Sequence, residues 1–206
     1  LLLGLLTVFL TLIIDQGLKI YIKLTYYYNQ EVSVIGDWFT FLFVENRGMA
    51  FGFELPFLSP FVAKMLLSIF RVVAVGFIGY YLLQLIKRNI SSGLILSVAL
   101  IFAGALGNIL DSAFYGLIFS ESTRFSFEPA HIVPFGEGYA AFLTGNVVDM
   151  FKIDLFTVDL PWYGTFNFFA PIFNFADVAI STGVGIIIVF QRKNFQKEFF
   201  NKKEEE

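Results

Sequence analysis

Four long apolar stretches restrict this chain more than any other feature. They lie at about residues 1–24, 60–86, 93–115 and 172–191, and a helix needs about 20 such residues to cross a bilayer. Hydrophobic residues make up 57% of the chain and charged residues only 15%, which is typical of membrane proteins rather than soluble domains. Because backbone groups in lipid must be hydrogen-bonded internally, we predict an α-helical polytopic membrane protein with four transmembrane helices, forming a single domain over residues 1–206.

Basic residues give this bundle an orientation. Lys87-Arg88 follows the second stretch and Arg192-Lys193 follows the fourth, and positive charges concentrate on the cytoplasmic side. We therefore expect both termini in the cytoplasm, with Lys19 and Lys23 as minor exceptions at the outer end of the first helix. Because the chain starts at Leu1 without methionine, we expect a trimmed N-terminus rather than a cleaved signal peptide.

The outer segments differ in character. Between the first two helices, residues 31–44 are rich in strand formers on both sides of Gly36-Asp37, which predicts a β-hairpin at the membrane surface. Residues 116–170 form an aromatic segment with several prolines and no stretch long enough to span a bilayer. We expect this long outer loop to have a function or to be disordered.

Polar side chains inside the apolar stretches indicate a functional site, because such groups are costly at membrane depth. Asn174 and Asp177 are three residues apart, so we expect them to share one face of the fourth helix. Asn108 and Asp111 repeat this spacing in the third helix, after a stripe of small residues that favours close helix packing, namely Ala99, Ala103 and Gly107. Asp15 and Lys19 in the first helix could neutralise each other or serve a site.

The residue inventory excludes most catalytic chemistry. The chain has no cysteine and one histidine, His131, so a thiol nucleophile and a His-Glu-x-x-His zinc site are excluded. The histidine is interpreted as structural or solvated. Carboxylates remain, and two adjacent aspartates that share one proton can hydrolyse peptides without a cofactor or metal. Residue spacing does not show which aspartates meet, and a transport or ion-binding role for the same acids remains open.

Five motifs in order resemble lipoprotein signal peptidase, the bacterial signal peptidase II. They are Asp15-Gln16-x-x-Lys19, Asn46-x-Gly48-x-Ala50-Phe51-Gly52, Gly104-Ala105-Leu106-Gly107-Asn108-x-x-Asp111, Val147-Val148-Asp149 and Phe173-Asn174-x-Ala176-Asp177. The resemblance implies an intramembrane aspartic endopeptidase that cuts prolipoproteins just before a diacylglyceryl-modified cysteine. It implies the bacterial inner membrane as location and an active site near the outer face.

The resemblance also assigns roles to individual residues. Asp149 and Asp177 correspond to the catalytic pair. The substrate-binding or supporting residues implied are Asp15, Asn46, Gly48, Asn108, Asp111 and Asn174. Two departures are evident: Ser112 occupies the position of a family arginine, for which Arg71 or Arg124 could substitute, and a long separation between Asp111 and Asp149 implies an insert at about residues 113–146.

The partners expected from this resemblance are prolipoprotein substrates and membrane lipid, with no nucleic acid, no cofactor and no metal, and with a functional monomer. Two other function classes are retained as alternatives. A small transporter or ion-binding subunit would depend on a gradient and would tolerate exchange of Asp for Glu, whereas a structural assembly factor would tolerate asparagine at Asp149 and Asp177.

Overall fold

The fold is described from a computed structural model, which describes residues 2–46, 59–154, 156–160, 162, 164–168 and 171–200. Within these described residues, four helical stretches are long and apolar enough to cross a membrane: Leu2–Thr25, Phe61–Lys87, Ser92–Ile118 and Phe175–Glu198. The first three agree with the predicted spans within three residues, and the fourth ends seven residues beyond its predicted end; the polytopic helical fold class is confirmed.

The helices carry two π-helical turns. Helix α1 is Leu2–Thr25, α2 is Pro60–Lys87 and α3 is Ser92–Leu110. A π-helical turn (Asp111–Tyr115) and a short helix α4 (Gly116–Ile118) complete the third span. The fourth span contains α5 (Phe175–Ile186), a second π-helical turn (Ile187–Gln191) and α6 (Arg192–Phe200). Turns of this kind often occur at functional sites, and the first one begins at the candidate residue Asp111.

The predicted hairpin is present and extends into a larger sheet. Strands β1 (Glu31–Ile35) and β2 (Phe39–Asn46) are antiparallel and are joined through Gly36, whose φ of +52° favours glycine. Strand β3 (Val147–Ile153) pairs with the other edge of β2, giving the order β1-β2-β3. A separate antiparallel hairpin contains β4 (Phe156–Leu160) and β5 (Gly164–Phe168). The sequence predicted neither β3 nor this second hairpin, because both lie in the segment interpreted as a loop.

The backbone contacts divide the chain into two compact units. The helical unit comprises residues 1–16, 68–109 and 175–206, and the sheet unit comprises residues 17–67 and 110–174. Each has its own apolar core. In the helical unit the buried core residues are Leu82, Leu85, Leu94, Ile95, Val98 and Ala99. In the sheet unit they are Ile22, Tyr26, Phe43, Tyr115, Phe119, Val148 and Met150. The prediction of a single domain stays a prediction.

Candidate active site

Asp149 lies on β3, where the backbone and one amide side chain fix its position. Strand pairing places it opposite Val44 of β2. On the other side, the amide of Phe151 donates to the carbonyl of Phe173 at 2.7 Å, and the amide of Phe173 donates back at 3.1 Å. Asn174 Nδ2 then donates to Asp149 Oδ1 at 2.6 Å. Asp149 is therefore a buried carboxylate held by an amide from a different segment.

Asn174 is not where the sequence predicted it. We expected Asn174 and Asp177 on one helix face, but α5 begins at Phe175, so Asn174 is the residue before the helix. The preceding residue, Phe173, forms a β-bridge with Phe151. The prediction of a shared helix face is therefore wrong. Because Phe173 is extended and bonded to β3, the helix cannot include it and begins only after Asn174. The Asn174 side chain donates hydrogen bonds to Asp149 and to the carbonyl of Val148.

A buried ion pair supports the start of β3. Lys19 Nζ lies 2.9 Å from Asp111 Oδ2, and both side chains are fully buried. The same carboxylate oxygen accepts a hydrogen bond from the Val148 amide at 3.2 Å. Asp111 therefore holds the residue directly before Asp149. Lys19 supplies the cation beside Asp111, a role that the sequence did not predict.

A second buried ion pair lies nearby in the sheet unit. Lys23 Nζ pairs with Glu45, and Asn146 Nδ2 donates to the other oxygen of the same carboxylate at 2.8 Å. Lys64 Nζ donates to Asn146 Oδ1 at 2.6 Å. The two lysines that appeared as exceptions to the charge rule are thus buried and neutralised by acids. Sequence reasoning missed Glu45; the available signal was an acid one residue before Asn46 in a strand of apolar residues.

The helical unit holds the other candidate acid. Asp177 is in the first turn of α5, where a negative charge interacts favourably with the helix dipole. Asn108 Nδ2 donates to Asp177 Oδ1 at 3.2 Å. Two candidate residues, Asn108 and Asp177, are therefore brought together from different helices, a pairing that residue spacing did not predict. Each catalytic candidate thus has one asparagine amide on its carboxylate.

Asp15 caps the same helix from a distant part of the chain. Its Oδ1 accepts a hydrogen bond from the Ala176 amide at 2.9 Å. This amide is one of the N-terminal donors that α5 cannot bond internally. Gln16 Nε2 donates both to Asp15 Oδ2 at 3.0 Å and to the carbonyl of Gly107 at 3.2 Å. Asp15 therefore fixes the turn that carries Asp177.

Two glycines permit this close packing: Gly107 from the predicted stripe of the third span, and Gly104, which lies outside that stripe. A Cβ atom added at Gly107 would lie 2.5 Å from Asp15 Oδ2. One added at Gly104 would overlap the carbonyl oxygen of Ala176 and come within 2.8 Å of Ile180. Only glycine leaves enough space at these two positions for the start of α5.

The remaining predicted residues are less informative. Asn46 is the exposed last residue of β2 and pairs with Val147. Gly48 and the rest of its motif lie outside the described residues. Ser112 is buried, and Arg124 contacts the ring of Tyr28. His131 is exposed on the outer loop, and its Nδ1 is 3.1 Å from Ser120 Oγ.

Burial affects one further polar group beside the second ion pair. The hydroxyl oxygen of Tyr139 accepts a hydrogen bond from the backbone amide of Asn146 at 2.7 Å. Its burial, together with the charge of Glu45, raises the pKa of Tyr139 well above its usual range. The phenol therefore stays neutral beside these buried groups. Within the ranges that the structure describes, no cluster of His, Cys, Asp and Glu residues could hold a metal ion.

Known proteins provide independent information on the family. The family model described as signal peptidase (SPase) II matches residues 7–192. A lipoprotein signal peptidase of Porphyromonas gingivalis is 44% identical over 187 residues, which cover 87% of this chain and 78% of the relative. One of Amoebophilus asiaticus is 36% identical over 200 residues, covering 91% and 77%.

Solved structures support the fold. A bacterial membrane enzyme determined by the in meso method at 2.3 Å resolution aligns with a TM-score of 0.55 and 24% identity, covering 98% of this chain and 93% of that one. A second, at 1.9 Å resolution, aligns with a TM-score of 0.57 and 23% identity, covering 90% of each chain. Because the family model spans most of the sequence and relatives exceed 30% identity over most of their length, the chain belongs to the signal peptidase II family.

Proposed function

We propose that this protein removes the signal peptide from diacylglyceryl-modified prolipoproteins, with Asp149 and Asp177 as an aspartic catalytic pair. Its family is signal peptidase II, a family of proteases, and its relatives carry the name lipoprotein signal peptidase. The cut would lie just before the lipid-modified cysteine of the precursor.

The assignment of the pair rests on the observation that each candidate acid accepts a hydrogen bond from an asparagine side chain. Asn174 Nδ2 binds Asp149 at 2.6 Å, and Asn108 Nδ2 binds Asp177 at 3.2 Å. An amide donor fixes the orientation of a carboxylate, which can still accept further hydrogen bonds through its remaining lone pairs. Asp177 also follows Asn174, the residue bonded to Asp149, by only three residues, so their Cα atoms can be at most about 11 Å apart even in a fully extended chain.

The chemistry follows from two carboxyl groups that share one proton. The ionised aspartate takes a proton from water as the water attacks the scissile carbonyl carbon. The protonated aspartate donates a hydrogen bond, and then its proton, to the oxyanion that forms on the carbonyl oxygen. The first aspartate then gives the proton that it took from water to the leaving nitrogen as the C–N bond breaks, and the second takes a proton back from the hydroxyl group of the adduct as the new carboxyl group forms. The pair ends with the one shared proton with which it began. The reaction needs no cofactor or metal. We make no assignment of which aspartate starts with the proton.

Two further acids are positioning residues in this proposal. Asp111 holds the Val148 amide beside Asp149, and Asp15 holds the Ala176 amide beside Asp177. Asn46 and Gly48 are proposed to contact the substrate, as the family resemblance implies. None of these four residues is required to exchange a proton.

The membrane setting suggests how substrate reaches the site. We propose that the basic segments at Lys87-Arg88 and Arg192-Lys193 are cytoplasmic, which places the ends of the first and third spans at the outer face. A precursor helix could then enter sideways from lipid while its acyl chains remain in the bilayer. We expect a monomer to suffice.

The direct test is cleavage of a lipobox-containing, diacylglyceryl-modified precursor by the purified protein in detergent, with chelator present and no ion gradient. We expect Asp149→Asn and Asp177→Asn each to abolish processing, because neither amide can take or give the required proton. The matched control is Asp37→Asn in the exposed turn of the hairpin, which we expect to process normally.

The outcomes separate the functions considered. Normal processing by either site variant would remove that residue from the catalytic pair. Failure of the unmodified protein to cut in detergent, combined with proton or cation flux in vesicles, would favour the transporter. Loss of activity in chelator would indicate a metalloenzyme.

A further inference from the structure

The outer loop between α4 and β3 exposes several large apolar side chains. The exposed fractions are 96% for Phe125, 80% for Phe127, 67% for Ile132 and 74% for Phe135. We call these four residues the aromatic tip. Apolar surfaces of this kind on a protein mark a site of contact with a partner or a membrane. The question is which occupant this tip accepts.

The loop that carries the aromatic tip is tied to the end of the third span. The Val133 amide donates to the carbonyl of Ile118 at 2.9 Å, and the Gly136 amide donates to Leu117 at 3.0 Å. Phe119 and Ile132 form a β-bridge. These bonds hold both sides of the loop at the last turn of a transmembrane helix. The base of the loop is therefore fixed to the end of that span.

The same loop contacts the end of the first span. The rings of Tyr27 and Phe127 meet edge to face with centroids 5.4 Å apart. The guanidinium of Arg124 lies 5.9 Å from the centroid of Tyr28. Both tyrosines follow α1, which ends at Thr25. Two separate spans thus anchor the loop at one membrane face.

The exposed apolar surface continues from the span onto the loop. Phe114, an exposed residue of the third span, packs against the exposed Phe142, with ring centroids 5.9 Å apart. Phe114 belongs to a helix that is long and apolar enough to cross a membrane, so the exposed surface of this span continues onto the loop. Aromatic side chains are enriched at the boundary between headgroups and acyl chains. This continuity favours lipid over a protein partner.

We propose that the aromatic tip is a lipid-docking surface, which inserts into the headgroup and acyl boundary of the leaflet where the first and third spans end. Arg124, exposed on the same loop, lies where it can meet the phosphate groups of lipids. The loop also exposes three acids, Glu121, Glu128 and Glu137, which we expect to stay on the aqueous side of the inserted rings. The loop thereby gives the insert at 113–146 a role, and this inference does not depend on the identity of the catalytic acids.

The chain suits a labelling experiment because it has no cysteine. Single variants Phe125→Cys, Phe127→Cys and Phe135→Cys would carry a nitroxide spin label, with Glu121→Cys and Glu137→Cys as matched controls on the same loop. Each labelled protein is reconstituted in vesicles of phosphatidylethanolamine and phosphatidylglycerol. The measured quantity is the ratio of collision with oxygen, which concentrates in lipid, to collision with a water-soluble nickel chelate.

We expect this ratio to be several-fold higher at the three tip positions than at the two glutamate positions. Equal ratios at both sets would show a tip in water and overturn the proposal. A tip that is shielded from both reagents, with shielding lost when the protein is diluted with lipid, would indicate a second copy of the chain and would also overturn it. Because the labelled side chains are exposed, the fold should be retained, and unchanged helical circular dichroism checks this.

Discussion

Replacing Lys19 by methionine should damage both stability and the site. Its ammonium lies 2.9 Å from Asp111 Oδ2, and both side chains are fully buried. Methionine retains most of the volume but removes the charge, so the Asp111 carboxylate would stay buried without this cation. That carboxylate also holds the Val148 amide, one residue before Asp149.

The expected loss of stability is large for a single substitution. Removing one partner of a buried ion pair costs about 3–5 kcal/mol, because it leaves an uncompensated charge in a low-dielectric interior. This corresponds to a decrease of roughly 150-fold to 5,000-fold in the folding equilibrium constant. Lys152 provides a comparison, because its ion pairs are partly exposed. Its ammonium lies 2.8 Å from Glu31 and 2.9 Å from Asp154, and the three side chains are 24%, 43% and 29% exposed. Each such pair contributes about 0.2–1 kcal/mol, so Lys152→Met should cost about 2 kcal/mol at most.

The assay is reversible unfolding in mixed micelles by titration with sodium dodecyl sulfate, followed by helical circular dichroism. Four proteins form a double-mutant cycle: the parent chain, Lys19→Met, Asp111→Asn and the double variant. The double variant should be less destabilised than the sum of the two single variants by about 2 kcal/mol. Asparagine keeps an acceptor for the Val148 amide, so the coupling reports mainly on the charge pair.

Two results would refute this reasoning. If Lys19→Met cost no more than Lys152→Met, the buried pair would not contribute as its geometry implies. If the two single effects were additive, the coupling free energy between Lys19 and Asp111 would be zero, and the short contact between them would not stabilise the protein.

Two further predictions concern how α5 is held. Gly104→Val should lower the thermal unfolding temperature and slow cleavage, because the valine side chain would overlap the Ala176 carbonyl. The control is Gly76→Val, which should have little effect because a Cβ atom there meets nothing within 4 Å. Equal effects of the two substitutions would exclude close packing as the cause. Asp15→Ala should cost about 1–2 kcal/mol by removing the cap on the Ala176 amide, while Asp15→Asn should retain most of the stability and cleavage rate. Equal losses for both Asp15 variants would show that the carboxylate charge matters rather than the cap.

Local patterns in the sequence were sufficient for the elements with a strong periodic or compositional signal. The spans follow from apolar length, and the first hairpin follows from strand formers on both sides of Gly36. Strand β3 was missed because Val147 and Val148 are followed by only a short apolar run within a long aromatic segment. Its partner β2 is distant in the chain, and pairing between distant strands leaves little trace in local composition.

The candidate site shows the same division. Sequence motifs singled out Asp111, Asn174 and Asp177, but the interpretation of Asn174 as a helical residue was wrong. The backbone pairing of Phe173 with Phe151 ends the extended segment at Asn174 and lets α5 begin one residue later. That choice depends on a strand that sequence reasoning had not predicted.

The sequence by itself determined the membrane class and the spans, because a helix that crosses lipid needs about 20 consecutive apolar residues. It also indicated the family, through five short motifs in order along the chain. Only the tertiary structure decided the partners: Lys19 with Asp111, Lys23 with Glu45, Asn108 with Asp177, and Asn174 with Asp149. Each joins residues far apart in the sequence. A buried polar group must find a partner, but only the folded chain determines which one comes within reach.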